Sequence, residues 1–145
     1  MLPAWINDYV GIPFVEDGRD LARDGGLDCW GLVRLALMKQ AGIVIPELPG
    51  VAYRRGQDRR SLREFITQFD HAAIGWTMHR PGAVQPQVFD VLWLRHCGPY
   101  HYGLCVGGGW FLHVEDGCDS VAERLNTLAW KNRLIGVFRH DSRPA

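Results

Sequence analysis

The sequence lacks an excess of charge of either sign, and it also lacks a long apolar run. Its 145 residues contain 16 lysines and arginines against 16 aspartates and glutamates. Without a basic surface, neither nucleic acid nor an anionic membrane is favoured as the main partner. No stretch is apolar over enough residues to cross a bilayer, so we expect no membrane insertion.

The sequence also lacks a recognisable export signal and a dense set of cysteines. Its first residues, MLPAWINDYVG, contain no basic stretch followed by an apolar one. We therefore expect the chain to be synthesised in the cytoplasm of its host cell without a signal peptide. In that setting free thiols are favoured over disulfides. The cysteines concerned are Cys29, Cys97, Cys105 and Cys118.

Length and composition predict a single domain spanning residues 1–145. The chain is 47% hydrophobic and 22% charged, as in an ordinary globular protein, and it is long enough to bury one core. No repeat or low-complexity tract interrupts it. Patterns typical of helices come first and patterns typical of strands follow, which predicts an α+β domain with an antiparallel sheet.

The helical part includes a short helix near the start and a longer one over 28–41. Asp28 is the expected N-cap of the longer helix, Gly42 its stop, and Cys29 its first residue. A capping-box pattern predicts another helix over 62–69. Loops are predicted at 12–26 and 45–60. Strands are predicted at 88–95, 101–106, 110–114 and 133–140.

Cys29 stands between an aspartate and a tryptophan at the expected helix N-terminus. The positive end of the helix dipole and the free N–H groups there favour a thiolate. The backbone N–H of Cys29 is also in a position to donate a hydrogen bond to an oxyanion. The alternative, favoured by composition alone, is a small buried cysteine without a chemical role. A nucleophile in addition requires a base.

Two histidines, His101 and His113, stand on neighbouring predicted strands of the segment HYGLCVGGGWFLHV. A two-residue turn at 108–109 would place them on opposite faces of the hairpin. A three-residue turn over 107–109 pairs Gly103 with His113 and brings both imidazoles onto one face, within reach of each other. The pattern therefore permits a Cys–His–His arrangement with His101 as the base and His113 as its orienting partner.

Five sequence blocks follow one another along the chain: VGIPFVEDGRD, LDCWGLV, FDVLWLR, HYGLCVGGGWFLHV and RLIGVFR. In this order they resemble the NlpC-type cell-wall peptidases. LDCWGLV resembles the Asp-Cys-Ser-Gly-Leu-Val block of that family, and FDVLWLR resembles its Gly-Asp-Leu-Val-Phe-Phe strand. HYGLCVGGGWFLHV resembles its His-Val-Gly-Ile-Tyr-Val-Gly hairpin. VGIPFVEDGRD and RLIGVFR resemble the stretch before the cysteine and the closing strand. An Asp-Cys-Trp-Gly block without a signal peptide is similar to the phage and prophage tail branch.

This resemblance implies a papain-like α+β fold and hydrolysis of peptidoglycan stem peptides, typically at the γ-D-glutamyl–diaminopimelate bond. Transferred by position, Cys29 is the nucleophile, His101 the general base and His113 the third polar residue. No cofactor and no metal are expected. The implied partners are the stem peptide and, in the tail branch, other phage tail proteins, which would place the chain in the virion tail.

Three positions depart from the family pattern. Trp30 replaces the usual serine and is expected to narrow or reshape the groove. Phe14 stands where many members carry a tyrosine whose hydroxyl helps to hold the oxyanion, a role left open to Tyr9 or Tyr100. Phe89 replaces a glycine, a change with an expected structural effect only. The residues expected at the oxyanion site and substrate groove are Asp28, Trp30, Phe14 and Tyr100.

Three alternatives stay open at this point. Histidines and cysteines crowd the segment 96–118 and suggest zinc, although none falls in the close pairs typical of structural zinc sites. The departures at Phe14 and Trp30 leave room for a catalytically weak or inactive tail assembly module on the same fold. A related Cys–His amidase or acyltransferase would keep the nucleophile and change the substrate.

Overall fold

A computed structural model describes residues 2–47, 75–96 and 101–142 of the chain. In this part, helices come first and strands follow, as the sequence predicts. The helices are a 3₁₀ helix at Ala4–Asp8, α1 at Leu21–Asp24 and α2 at Cys29–Ala41. The strands are β1 (Trp76–His79), β2 (Val91–Leu94), β3 (His101–Gly107), β4 (Trp110–His113), β5 (Val121–Arg124) and β6 (Leu134–His140).

The six strands form one antiparallel sheet in the order β1-β6-β2-β3-β4-β5. Helix α2 packs against β3 and β4. The α+β class and the packing of N-terminal helices on an antiparallel sheet are therefore confirmed. Among the described residues, no helix is both long and apolar enough to span a membrane.

Helix α2 begins and ends where its capping residues predict. The Asp28 side chain accepts a hydrogen bond from the backbone N–H of Gly31 at 2.9 Å, which satisfies one of the free donors of the first turn. Gly42 ends the helix with φ 68°, a left-handed conformation that glycine adopts without strain. A Cβ atom at position 31 would collide with the carbonyl oxygen of Gly18, so the turn after Cys29 requires glycine.

The two faces of the sheet bury different clusters. The face toward α2 carries Tyr102, Leu104 and Val106 of β3, packed with helix residues such as Leu32. The opposite face carries a second cluster, which is Leu92, Leu94, Cys105, Phe111, Trp130 and Val137. Strand β3 is buried along almost its whole length and contributes alternate side chains to both clusters.

The β3–β4 hairpin combines a two-residue turn with the register that brings the two histidines onto one face. Leu104 pairs with Leu112, a register that places Gly103 opposite His113. Of the two turns that the sequence left open, the structure has the two-residue turn, because Gly107 pairs with Trp110. A bulge after Cys105 provides the offset that brings both histidines onto one face. The turn residues Gly108 and Gly109 have φ values of 60° and 81°, and two positive φ angles suit a two-residue hairpin turn.

Several elements differ from the sequence prediction. The segment predicted as a loop at 12–26 contains α1, and β1 and β5 were not predicted. Both strands lie at the sheet edges, where half of the side chains are exposed and the apolar pattern is weak. Strand β2 begins later than expected, because Phe89 adopts φ 73° in a turn before it. The predicted helix at 62–69 lies outside the described residues.

The described cysteines are free thiols, as expected. Cys29 and Cys105 are buried and Cys118 is exposed. Cys97 lies outside the described residues.

Candidate active site

The centre of the candidate site is a chain of three side chains on β3, β4 and β5. His101 Nε2 lies 2.8 Å from His113 Nδ1, and His113 Nε2 lies 2.5 Å from Glu123 Oε2. The antiparallel register places His101 diagonally from His113 on the same face, as the sequence predicts. Glu123 pairs with Phe111 in the β4–β5 ladder and is therefore diagonal to His113.

Trp130 covers the two imidazoles. Its ring stacks on His101 with a centroid distance of 5.8 Å and meets His113 edge-on at 5.0 Å. Phe111 stacks on His113 at 4.6 Å and meets the Trp130 ring edge-on at 5.3 Å. His101 is 3% exposed and His113 is completely buried. The hydrogen bond between the histidines therefore lies in a dry aromatic setting, where a polar contact is stronger than in water.

Cys29 approaches the same strand from the helix side. Its Sγ accepts hydrogen bonds from the backbone N–H groups of Tyr102 and Trp30. Tyr102 belongs to the cluster on the α2 face, whereas His101 packs on Trp130 at the opposite face. The thiol therefore lies against the backbone of the residue that follows His101 in β3.

The thiol is neutral at rest, in contrast to the expected thiolate. Burial raises the pKa of Cys29 to about 12, and the neighbouring Asp28 charge acts in the same direction. The backbone N–H of Tyr102 in β3 lowers the pKa of the thiol, as do the charge of Arg19 and, to a smaller extent, the N–H of Trp30 in the first turn of α2. Their effect is smaller than the cost of placing a negative charge in a site that is 2% exposed.

The imidazoles are also neutral at rest. Burial lowers the pKa of His101 well below its ordinary value, and the neighbouring His113 and His96 lower it further. Burial likewise lowers the pKa of His113, although Glu123 opposes this shift. A neutral imidazole has a free lone pair, so His101 is in the protonation state that a general base requires.

Comparison with known proteins places the chain in a family. A family model described as the NlpC/P60 family matches residues 11–139, which is most of the chain. The chain belongs to the NlpC/P60 family. It is therefore a hydrolase of the cysteine peptidase class with a papain-like fold. No curated protein sequence matches this NlpC/P60 chain significantly.

Solved structures show the same fold. The NlpC/P60 domain of the peptidoglycan hydrolase SagA superposes with a TM-score of 0.57 at 20% identity, covering 94% of this chain and 93% of that one. The peptidoglycan hydrolase RipB from Mycobacterium tuberculosis gives a TM-score of 0.58 at 17% identity, covering 95% of this chain. This NlpC/P60 chain spans 61% of that RipB structure.

A third similar structure is a lipoprotein-like NlpC/P60 protein from Staphylococcus aureus. Its TM-score is 0.58 at 20% identity, and the match covers 92% of this chain but 38% of that one. At these identities the likeness establishes the fold and leaves the residue roles to the geometry.

In this NlpC/P60 domain, Asp28 holds in place the backbone segments on either side of Cys29. One carboxylate oxygen caps α2, and the other accepts a hydrogen bond from the buried Arg19 guanidinium. Arg19 also donates to the carbonyl oxygen of Glu47 at 2.5 Å. Burial raises the pKa of Asp28, and Arg19 opposes that shift. The pair therefore joins the loop before the nucleophile to the helix that presents it.

The residues expected in the groove occupy different surroundings. Trp30 is 4% exposed, donates its Nε1–H to the carbonyl oxygen of Pro46 at 2.9 Å, and meets Tyr102 edge-on. Its ring therefore packs in the core and fastens the start of α2 to β3. Phe14 is half-buried, and its backbone forms an isolated parallel β-bridge with Leu27, two residues before Cys29. Tyr100 lies outside the described residues.

Tyr9 is excluded as the missing oxyanion donor. It is 2% exposed, and its hydroxyl accepts a hydrogen bond from Gln40 Nε2 at 2.8 Å. Gln40 lies in the last turn of α2, about 16 Å along the helix from Cys29. The suggestion that Tyr9 replaces the family tyrosine is therefore wrong.

A second polar cluster borders His101. His96 Nε2 is hydrogen-bonded to Glu115 Oε2, and Arg133 Nη1 lies 2.9 Å from His96 Nδ1. The His96 ring packs at 5.0 Å from Trp130 and 5.4 Å from His101. In the described ranges, no group of three or more histidine, cysteine or acidic side chains is arranged to hold a metal ion. His96 and Glu115 thus form part of the polar edge around the buried pair.

Three residues of the site were missed by sequence reasoning. Arg19 follows a turn, and nothing in its local pattern marks it as buried. Trp130 comes from the connection between β5 and β6. Glu123 had the clearest signal, since an antiparallel strand after β4 places alternate residues on the His113 face. Using that signal would have required a prediction of β5, and the apolar pattern of this edge strand is too weak to predict it.

Proposed function

We propose that this NlpC/P60 domain is an endopeptidase that hydrolyses stem peptides of peptidoglycan, typically at the γ-D-glutamyl–diaminopimelate bond. Support comes from the family and from the fold shared with SagA and RipB, both described as peptidoglycan hydrolases. The observation that carries a catalytic role is the buried hydrogen bond between His101 and His113, beside the strand residue that contacts Cys29.

In the proposed reaction Cys29 is the nucleophile and His101 the general base. The Cys29 thiol transfers its proton to the His101 imidazole as sulfur attacks the carbonyl carbon of the scissile bond. The backbone N–H of Cys29 donates to the oxyanion of the tetrahedral intermediate. The imidazolium then protonates the departing amine, and a thioester forms.

The second half of the reaction releases the enzyme. His101 removes a proton from a water molecule, the oxygen attacks the thioester carbonyl, and the Cys29 sulfur leaves with a proton. The products are a free amine and a free carboxylic acid, and the thiol is restored. Because thiol and imidazole are both neutral at rest, the first proton transfer belongs to the step in which substrate binds and is attacked.

The test is digestion of purified peptidoglycan followed by mass analysis of the released fragments. Wild type is expected to produce new stem-peptide ends that identify the cleaved bond, and Cys29→Ala is expected to produce none. Cys118→Ala removes an exposed thiol and is the matched control, which should cleave like wild type. Equal release by wild type and Cys29→Ala would overturn the role of Cys29.

We further propose that the chain acts as a phage or prophage tail component that aids cell-wall penetration. The support is the Asp-Cys-Trp-Gly block at residues 28–31 and its resemblance to the tail branch. Mass analysis of purified virions induced from the source strain tests this role. Peptides of the chain in tail particles are expected, and their absence from particles of normal protein content would contradict it.

A further inference from the structure

We propose that Glu123 is a positioning residue that sets the tautomers of both histidines and leaves His101 Nδ1 as the proton-accepting atom. The catalytic consequence rests on the proposed function. The tautomers themselves follow from the geometry of three side chains and are testable without substrate. The chain of contacts is His101 Nε2 to His113 Nδ1 at 2.8 Å and His113 Nε2 to Glu123 Oε2 at 2.5 Å.

The assignment begins at the carboxylate, because an ionised carboxylate accepts hydrogen bonds and cannot donate them. His113 Nε2 must therefore carry the hydrogen in its contact with Glu123. A neutral imidazole has only one N–H, so His113 Nδ1 carries a lone pair. That lone pair accepts from His101 Nε2, which must then be the N–H of His101. By elimination, His101 Nδ1 is the nitrogen with the free lone pair.

Without a fixed acceptor at the far end, this direction would not be determined. Two neutral imidazoles joined by one hydrogen bond can be written with either ring as the donor. If His113 donated, His101 Nε2 would have to accept. The only lone pair of the His101 ring would then be engaged with His113, and Nδ1 would carry the hydrogen. The Glu123 carboxylate removes this degeneracy, because only one direction satisfies all three groups.

The same chain stabilises the proton once His101 has accepted it. The imidazolium formed on His101 donates from Nε2 to His113, whose Nε2–H points to the Glu123 carboxylate. The site is dry at the histidines, where Trp130 and Phe111 enclose the rings, and open at the carboxylate, whose side chain is 39% exposed. The Glu123 side chain therefore contacts water, while the histidines that it directs are buried.

Other ionisable groups face this pair, and within the described ranges none repeats the contact of Glu123. His96 packs beside His101, Glu115 is hydrogen-bonded to His96, and Arg133 contacts the other nitrogen of His96. Glu115 is thus a second carboxylate near the histidines that is engaged elsewhere. It offers a matched control, because Glu115→Gln removes one charge close to His113 and leaves the hydrogen bond of Glu123 intact.

The first measurement is the tautomer of each ring, read from two-bond ¹⁵N–¹H correlation spectra of histidine-labelled protein near neutral pH. Wild type is expected to show His101 and His113 both as neutral Nε2–H tautomers. Glu123→Gln keeps the size of the side chain but presents an amide that can donate or accept, so a mixture with Nδ1–H forms is expected. Glu115→Gln should keep the wild-type tautomers.

Two results would overturn the inference. One is an Nδ1–H tautomer for His113 in wild type, which would mean that Glu123 does not set the direction. The other is a folded Glu123→Gln variant with unchanged tautomers. If Glu123→Gln does not fold, the wild-type spectrum alone still decides the assignment.

The second measurement is the rate at which iodoacetamide alkylates Cys29 across a range of pH, followed on the Cys29 peptide by mass spectrometry. Glu123→Gln is expected to slow this reaction roughly tenfold near neutral pH, because the base nitrogen is lost in part of the population. Glu115→Gln is expected to change the rate much less. Equal slowing by both variants would show that Glu123 acts through its charge alone, which would overturn its positioning role.

These outcomes are separable from those of the peptidoglycan digestion. Correct tautomers with no cleavage by wild type would reject the proposed substrate and keep the positioning role. Cleavage by wild type with tautomers that do not depend on Glu123 would reject the positioning role and keep the function.

Discussion

The two faces of strand β3 differ in what their side chains do. Toward α2 the strand presents Tyr102, Leu104 and Val106 to an apolar cluster. On the other face His101 is hydrogen-bonded to His113 and covered by Trp130. Both faces are buried, so burial alone does not distinguish the packing face from the site. The difference lies in whether each buried polar atom has one specific partner.

One strand thus supports both stability and chemistry. Residues on the α2 face are interchangeable within limits of volume, because dispersion and burial are not directional. Residues on the histidine face are constrained by donors, acceptors and tautomers. Variants on the histidine face should therefore change activity and tautomers, and variants on the α2 face should change stability.

Loss of the base should have the largest effect and should affect activity more than folding. His101→Ala is expected to lower the rate of stem-peptide release by about a thousandfold, since general-base catalysis is lost while the α2 cluster is unchanged. The rate per folded molecule on purified peptidoglycan measures it. His79→Ala, on edge strand β1, is the control and should keep the wild-type rate. A fully active His101→Ala would show that the histidine face is only structural.

Removal of the aromatic cover should lower both stability and activity. Trp130→Ala leaves a cavity over His101 and His113 and is expected to lower the free energy of unfolding by about 3–5 kcal/mol. Urea unfolding measures this loss. Leu128→Ala in the same connection changes a side chain that is 91% exposed and should cost no more than about 0.5 kcal/mol. Similar losses for both variants would mean that the cover contributes little.

A truncation on the α2 face should affect stability and spare the chemistry. Leu104→Ala is expected to lower the free energy of unfolding by about 2–5 kcal/mol, because this side chain is completely buried against the helix cluster. The tautomers of His101 and His113 should stay as in wild type. Urea unfolding and histidine NMR measure the two effects. A changed tautomer would show that the two faces are coupled through the strand.

Acid should destabilise the fold through the histidine face. The pKa values of His101 and His113 are lowered by burial, so the unfolded chain, with ordinary histidines near pKa 6.5, binds protons first. Stability is therefore full above about pH 6.5 and is lost as the pH falls through the lowered pKa values. Urea unfolding at about pH 7.5 and about pH 5 measures this loss.

The control for acid destabilisation is the double variant His101→Gln with His113→Gln. It should lose much less stability between the two pH values than wild type does, because the buried groups no longer titrate. His79→Gln should retain the wild-type dependence. An unchanged dependence in the double variant would place the titrating groups elsewhere in the chain.

The smallest expected effect concerns the backbone before β2. Phe89 holds φ 73° while its ring stacks on Trp5 with a centroid distance of 5.9 Å. Phe89→Gly and Phe89→Ala both lose the ring, but only glycine removes the cost of the left-handed conformation. The glycine variant is therefore expected to be more stable than the alanine variant by about 1 kcal/mol in urea unfolding. Equal stability would show that the backbone relaxes.

Much of the frame follows from local signals in the sequence. The capping residues Asp28 and Gly42 determine where α2 begins and ends, and the glycines of the hairpin permit the register that brings His101 to His113. The glycine usual in the family at position 89 has a physical reason, since Phe89 adopts a positive φ angle. Edge strands β1 and β5 were missed because their hydrogen bonds, not their own side chains, define them.

The sequence by itself determined the class of fold and the helix that presents Cys29, because caps and alternation act over a few residues. It only permitted the pairing of the two histidines, which the bulge after Cys105 decided. The tertiary structure decided the protonation of the site and its third member. Desolvation depends on everything packed around a group, and it outweighs the helix N-terminus at Cys29. Glu123 and Trp130 join the histidines only because β5 and the connection after it fold back over β4.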